Sequence, residues 1–300
     1  MKRLTLPHIT HEPASVLVVG SVAYDDIITP RASGERILGG SASYGALAAS
    51  YFAPTRLVGV VGHDFAPHDL ARLKARGIDL EGLQVDSSGP TFHWKGRYHE
   101  NFNRRDTLEI HLNVFERFRP LLPDSYVKSE YALLGNIHPG LQRHVRGALG
   151  KQVFAAADTI DLWIKTTHAE LVEVMRELDL FVINDTEAEI LTEEPNLIRA
   201  GHALRAKGPK IVIIKKGEHG AYLFHPDGLF ALPAYPVVDL RDPTGAGDSF
   251  AGALLGALAI QTGAGKPPKP TFGQIKEAMV FATVVASLTV EAFSCDRLES

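Results

Sequence analysis

The stretch DPTGAGDSFAGALLGAL, running from Asp242 to Leu258, sets two glycines around an alanine and follows them with an aspartate and a long apolar helix pattern. Gly245 and Gly247 tolerate positive φ without a side-chain penalty, so the turn can be tight. Ala246 adds only a methyl group. Successive backbone N–H groups can then face one point, and a helix starting at Asp248 or Ser249 adds its own unpaired N–H groups and dipole. Together they make a site for a phosphate or an alkoxide-like oxygen. Asp248 has two readings. A carboxylate at a helix N-terminus is a common cap. It is also a base that can take a proton from a substrate hydroxyl while nearby N–H groups steady the charge on the group in transfer. Phosphoryl transfer to an alcohol requires base and cradle this close together.

Outward from this turn the chain alternates strand and helix. Ser15 to Val19 is a β-branched run closed by Gly20 and reads as a buried strand. SASYGALAASYFA, from Ser41, has small residues at close spacing and predicts a tightly packed helix. TRLVGVVG predicts the next strand, and APHDLARLKARGI a helix closed by Gly77. The rhythm returns in YALLGNI, VFAAADTIDLWI, DLFVIND with TEAEILT, and KIVIIKKG, before two long helices over Ser249 to Ile260 and Phe272 to Glu291. This repetition predicts an α/β fold, a mostly parallel sheet with helices on both faces. Residues from about 83 to 115 break the pattern. TFHWKGRYHENF alternates aromatic and polar residues and predicts exposed antiparallel strands. With residues 23–36 they predict a small β-sheet lid inserted in one domain spanning 15–300, behind a loose lead-in at 1–14.

Several function classes are disfavoured. Lys and Arg total 31 against 35 acidic residues, a net charge of -4, so no overall field draws the chain to nucleic acid or to an anionic membrane. The single cysteine, Cys295, has no neighbours that would make it a nucleophile. The start has no signal-peptide core, and no apolar run is expected to reach bilayer length, so a cytoplasmic location is expected. The histidines, among them His63, His68, His93, His99, His111, His138, His144 and His168, match no zinc spacing. No GxxxxGK[ST] motif is present, and the first strand ends in GSVAYD without the glycine spacing of a dinucleotide oxidoreductase.

DPTGAGDSFAGALLGAL resembles the C-terminal signature of the ribokinase-like, or PfkB, family of carbohydrate and nucleoside kinases. GGSASYGALAASYF is similar to that family's first glycine-pair signature, and GSVAYDD, Gly20 to Asp26, to its early substrate-binding turn. NDTEAEILT, Asn184 to Thr192, resembles its N-x-x-E element, and KKGEHGAYLF, Lys215 to Phe224, its nucleotide-side strand and glycine turn. These matches come in order and cover most of the chain from Ser15 onward.

The resemblance implies a three-layer α/β/α core with a lid, and an ATP-dependent kinase using Mg²⁺. Asp248 then stands where the family has its catalytic base, and Gly245, Ala246 and Gly247 where it has its anion hole. Asp242 and Thr244 stand where several members help bind a monovalent cation such as K⁺. Asn184 and Glu187 match the pair whose glutamate organises Mg²⁺ and its waters; as ordinary first-turn acids, Glu187 and Glu189 would simply favour the helix dipole. Lys216, Gly217 and Gly220 match the turn near ATP, with Lys216 replacing the family's frequent Thr or Ser; it reaches the phosphates or snorkels to solvent. The last helix near Phe281 to Ser287 matches the region of the adenine pocket. On the acceptor side, Asp25 is implied to hold sugar hydroxyls, in preference to Asp26, and Gly39–Gly40 to act as a lid hinge or a plain turn.

The acceptor stays open at this point. Arg97, Asn101, Asn103, Arg104, Arg105 and Asp106 in the lid are contacts for a polar acceptor or a solvated hairpin surface. Asp161 and Trp163 follow a strand aimed at the ligand crevice, and Trp163 stacks on a ligand or fills the core. A small sugar or polyol is the leading acceptor, a nucleoside the alternative. A binding protein that had lost catalysis would lack Asp248 or the glycines, and this chain keeps both. An exposed lid sheet invites covering by a second copy; a monomer whose lid closes on substrate is the other arrangement.

Overall fold

The computed structural model describes residues 11–299, so most of the expected lead-in lies outside the described residues. The first half of the chain forms β1 (Val16–Val19), β2 (Ala23–Ile28), β3 (Ser33–Gly39), α1 (Ser41–Ala49), β4 (Thr55–Gly62), α2 (Pro67–Ala75), β5 (Asp79–Asp86), β6 (Phe92–Tyr98) and β7 (Arg105–His111). Then come β8 (Tyr131–Leu134), α3 (Pro139–Ala148), β9 (Phe154–Ala157), α4 (Asp161–Thr166), α5 (His168–Met175), β10 (Leu180–Asn184), α6 (Asp185–Thr192) and α7 (Leu197–Ala206). The chain closes with β11 (Ile211–Lys215), β12 (Ala221–His225), β13 (Gly228–Leu232), α8 (Ala246–Thr262), α9 (Phe272–Val290) and α10 (Asp296–Glu299).

Nine strands make the core sheet in the order β13-β12-β11-β10-β9-β8-β1-β4-β5. From β11 to β5 the pairing is parallel, and β12 and β13 close one edge antiparallel. All four residues of β1, β8 and β9 are buried, as in strands covered on both faces. Alternate residues of β1 feed two cores. Val16 and Val18 pack with α1, α8 and α9 on one face, and Leu17 and Val19 with α3, α5, α6 and α7 on the other. This is the three-layer α/β/α arrangement.

A second sheet, β3-β2-β6-β7, forms the lid. It is mixed, since β2 and β6 run parallel while the outer pairs are antiparallel. The sequence placed the start of the second lid segment near residue 83, but Leu83 to Asp86 belong to β5, the parallel edge strand of the core sheet, where Leu83 pairs with Gly59. Polar, half-exposed residues on an edge strand resemble loop sequence, which explains the difference. The first lid segment runs to Gly39. Asp64, after β4, ties down both halves of the lid. Its Oδ1 accepts bonds from the N–H and hydroxyl of Thr91, which precedes β6, at 2.7 and 2.8 Å, and its Oδ2 receives both terminal nitrogens of Arg36 on β3 at 3.2 Å. Strand β7 is exposed along its length, with Leu108 and Ile110 uncovered.

α8 is sheathed on nearly every side, with Ser249 to Ile260 buried. It begins at Ala246, earlier than expected, because Gly245 turns the chain in the left-handed region, φ 75°, and so caps the helix itself. It crosses α1 at close range: a Cβ on Gly252 would lie 2.0 Å from Gly45 O. α9 is, contrary to the sequence expectation, long and apolar enough to cross a membrane by length and composition alone. Lys276 and Glu277 interrupt the apolar run without lowering its average enough. In this fold α9 lies along α8, with Ile275, Ala278, Met279 and Ala282 buried between them and the core.

The Gly45–Gly252 contact is tested by Gly252→Val. Overpacking is expected to cost about 1–3 kcal/mol, read as a lower urea midpoint. An unchanged midpoint would mean that α1 and α8 do not meet there.

Candidate active site

The C-terminal ends of the parallel strands and the first turn of α8 share one edge of the sheet, where open α/β sheets hold ligands. At Gly245 an added Cβ would meet the Tyr44 ring at 2.4 Å, so sterics as well as φ require glycine. Ala246 N donates to Pro243 O, and Ser249 N to Gly245 O. Between them the N–H groups of Gly247 and Asp248 have no backbone acceptor among the described residues, which leaves two donors at the positive end of a long helix.

Asp248 faces this turn together with two residues that the sequence reading passed over. Asp158, just after β9, is 5% exposed; its carboxyl feels the Asp248 charge, and its Oδ1 is buried without a hydrogen-bond partner. Burial, and then the neighbouring Asp248 charge, push Asp158 well above the usual carboxylate range. Burial raises Asp248 too, while the Lys215 charge opposes the rise. Lys215 ends β11, and its Nζ lies 2.5 Å from where a Cβ on Gly247 would sit. Two sequence signals existed. Asp158 is the first acid after the apolar FAAA, and Lys215 is the first of two adjacent lysines, of which only the second was singled out.

The residues expected on the acceptor side sit close by. Asp25 is 4% exposed, and its carboxyl makes no hydrogen bond with the described residues. Burial, then the Asp242 charge, raise it to about 8, opposed by Arg105. Gly39 has a packing reason: a Cβ there would lie 2.0 Å from Asp25 Oδ2. Gly40, φ 92°, caps α1 against Ser21 O. Asp26 points elsewhere, accepting from Arg36 N at 2.7 Å and pairing with His93 at 3.3 Å. Asp242 is 1% exposed; its Oδ1 accepts from Thr244 N at 2.9 Å, and its Oδ2 is buried without a partner. Burial raises it to about 6. The Thr244 hydroxyl meets Tyr98 OH of the lid at 3.0 Å.

On the other side, Asn184 and Glu187 form a capping box on α6. Asn184 Oδ1 accepts from Glu187 N at 2.8 Å, and Glu187 Oε2 from Asn184 N at 3.0 Å. The cap occupies one Glu187 oxygen. Burial raises this carboxyl, Lys215 opposing. Among the described residues no three His, Cys, Asp or Glu side chains converge as a metal cage. One buried carboxylate with a spare oxygen fits Mg²⁺ held mostly by phosphates and water. Gly217 and Gly220 both have positive φ, 51° and 83°. The Lys216 Nζ lies 3.7 Å from the Tyr222 ring centroid.

The polar lid residues Arg97, Asn101, Asn103, Arg104, Arg105 and Asp106 are all solvent-exposed. Asp106 pairs with His99, and Asn103 donates to Glu218 beside Gly217, so the lid tip reaches across to the β11–β12 turn. Arg105 is the lid cation whose charge is felt at Asp25, Asp248 and Glu187. It stacks 5.4 Å from Trp94 and lies against the Tyr98 hydroxyl. Asp161 pairs with Lys165, and Trp163 donates to Asn136 at 2.9 Å with its ring edge-on to His138. Two open grooves of about 540 and 560 Å³ border α3 and include none of Asp25, Asp248 or Gly245–Gly247.

The family model described as pfkB family carbohydrate kinase matches residues 14–299. A cytidine kinase from Thermococcus kodakarensis is 29% identical over 254 residues, 80% of this chain and 87% of that one. Ribokinase from Giardia lamblia superposes with a TM-score of 0.79 at 20% identity, covering 96% of each chain. Arabidopsis thaliana ribokinase, solved with ribose and ATP, does so with 0.77 at 21% identity, covering 95% of each.

Asp25 makes stability depend on pH. Its folded value of about 8 lies above the ordinary 3.8, so from pH 4 to 8 the fold keeps a proton that the unfolded chain releases. Stability is thus lost as pH rises through that window. Asp25→Asn removes the effect. The thermal midpoint of the ligand-free variant is expected to gain several degrees on wild type at pH 9 relative to pH 5. An equal difference at both pH values contradicts the buried, unpaired carboxyl.

Proposed function

The chain belongs to the pfkB carbohydrate kinase family, and we propose that it transfers the γ-phosphoryl group of ATP to a hydroxyl of a small sugar or polyol. One observation carries this reading: the buried, unpartnered Asp25 carboxyl lies in the same charge cluster as Asp248 and the unpaired N–H groups of the α8 turn. Asp25 is then the group that accepts bonds from acceptor hydroxyls. Asp248 takes the proton of the attacking hydroxyl. The N–H groups of Gly247 and Asp248 receive charge on the phosphoryl oxygens as it develops. Glu187 is the residue to hold Mg²⁺, which when bound neutralises phosphate charge. Asn184, Lys216, Gly217 and Gly220 flank the nucleotide side, and lid strands β2 and β6 exclude water.

A nucleoside is the second reading. The cytidine kinase likeness, which spans most of both chains, favours it. Both acceptors present adjacent ribose-type hydroxyls to Asp25, so the two readings share the same machinery. The exposed β7 edge supports a lid-to-lid dimer, and a cytoplasmic location matches the need for ATP.

Asp242 and Thr244 are the residues to hold a monovalent cation. The orphaned Asp242 Oδ2 supports this, since a buried carboxylate oxygen without a donor calls for a positive partner. Replacing K⁺ by tetramethylammonium is expected to lower kcat at least about tenfold in wild type and to leave Asp242→Asn indifferent. Equal rates in both salts for wild type would rule the site out.

ADP release from Mg-ATP, measured across sugars, polyols, sugar phosphates and nucleosides, tests the main reading. Turnover on one class is expected, and Asp248→Asn should lower kcat by about 10²–10⁴-fold with ATP still bound. Turnover unchanged in the variant removes Asp248 as the base.

A further inference from the structure

We propose that Lys215 is a catalytic group, its ammonium meeting the transferring phosphoryl at the Gly245–Gly247 turn. The inference rests on the kinase reading above and adds a residue to it.

Strand geometry comes first. Lys215 is the last residue of β11 and pairs in register with Asn184 at the end of β10. It therefore stands between the Asn184–Glu187 cap and the first turn of α8. Its side chain is half-buried. A lysine at a strand end usually extends its stem and puts the charge in water. Here the charge turns inward instead, to the space that Gly247 leaves by having no side chain. That space adjoins the unpaired N–H groups of Gly247 and Asp248.

The ammonium also lacks a fixed partner. Among the described residues it makes no hydrogen bond and no ion pair. Yet Asp158, Glu187 and Asp248 all feel its charge. A cation ringed by carboxylates, none of them in contact, leaves a gap that an anionic oxygen fills. Lys216 differs, being held against Tyr222. The neighbouring lysines thus divide, one into the site and one onto a ring.

In the transfer, the bond between the γ-phosphorus and the β–γ bridging oxygen breaks, and its electron pair stays on ADP. The acceptor oxygen bonds to phosphorus, and its proton passes to Asp248. Lys215 keeps its proton throughout and follows the charge of the phosphoryl oxygens from donor to acceptor. Its attraction is strongest midway, when those oxygens lie over the turn, so it lowers the barrier more than it tightens ground-state binding.

The test uses Lys215→Ala, with Lys215→Met keeping the stem in case the first variant folds poorly, and Gly247→Ala, whose added methyl displaces the Nζ. Two readouts are taken: kcat on the accepted hydroxyl compound, and the affinities of ADP and of ADP with aluminium fluoride, both with Mg²⁺ and that acceptor. All three variants are expected to lose about 100-fold in kcat and a similar factor in affinity for the fluoroaluminate complex. ADP affinity should stay within about threefold. Wild-type rates in a folded Lys215→Met overturn the proposal. So does an equal loss for ADP alone, which would make Lys215 a grip on the resting nucleotide. Wild type without turnover on any acceptor removes the kinase reading, and the proposal with it.

Discussion

The site depends on how closely α1 and α8 approach. Gly45 and Gly252 meet at a distance that admits no side chain, and Gly256 repeats the contact one turn further along, against Ala49. This approach brings the Tyr44 ring against Gly245 at the start of α8. It also sets the start of α1, at Gly40 and Ser41, beside the Gly20–Ser21 turn that leads into the lid. The turn proposed as the phosphoryl cradle opens one helix, and Gly40, proposed for the acceptor side, caps the other. A single crossing therefore fixes the two proposed halves of the site at a set distance, on rigid elements.

The second constraint is charge. Asp25, Asp158, Asp242, Asp248 and Glu187 are all raised by burial. At all of these but Asp242, Lys215 or Arg105 opposes the shift, without an ion pair to any of them. Such a cluster stabilises nothing in the empty protein. It is a set of desolvated groups held apart by the scaffold, their bonding left open for the oxygens and protons of the proposed substrates. Stability spent at an active site in this way is a common trade.

The architecture was largely legible because its signals are local. β-branched runs closed by glycine marked the buried strands, and small-residue spacing marked α1 and α8. β5 escaped because a polar edge strand has the composition of a loop. In the site, DPTGAGD was readable as a turn, since φ and side-chain size are properties of single residues. Asp158 and Lys215 were not. Each is an ordinary polar residue at the end of an apolar strand, and only the pairing of β9, β10 and β11 brings them to Asp248. Choosing between Lys215 and Lys216 needs to know which face of β11 looks at α8, and one lysine beside another hides that parity. Arg105 stood among six lid residues with nothing to single it out until β7 was paired with β6.

Asp64 joins two lid segments that are far apart in the chain. Because one carboxylate holds the root of β6 through Thr91 and the middle of β3 through Arg36, the lid has a common hinge pin on the core. Two hairpins closing independently would each lose their own freedom when ligand arrives. A sheet pinned at one point behaves as a single plate and loses the freedom of one body. The same pin makes the arms interdependent, so that loosening either one unlatches the other.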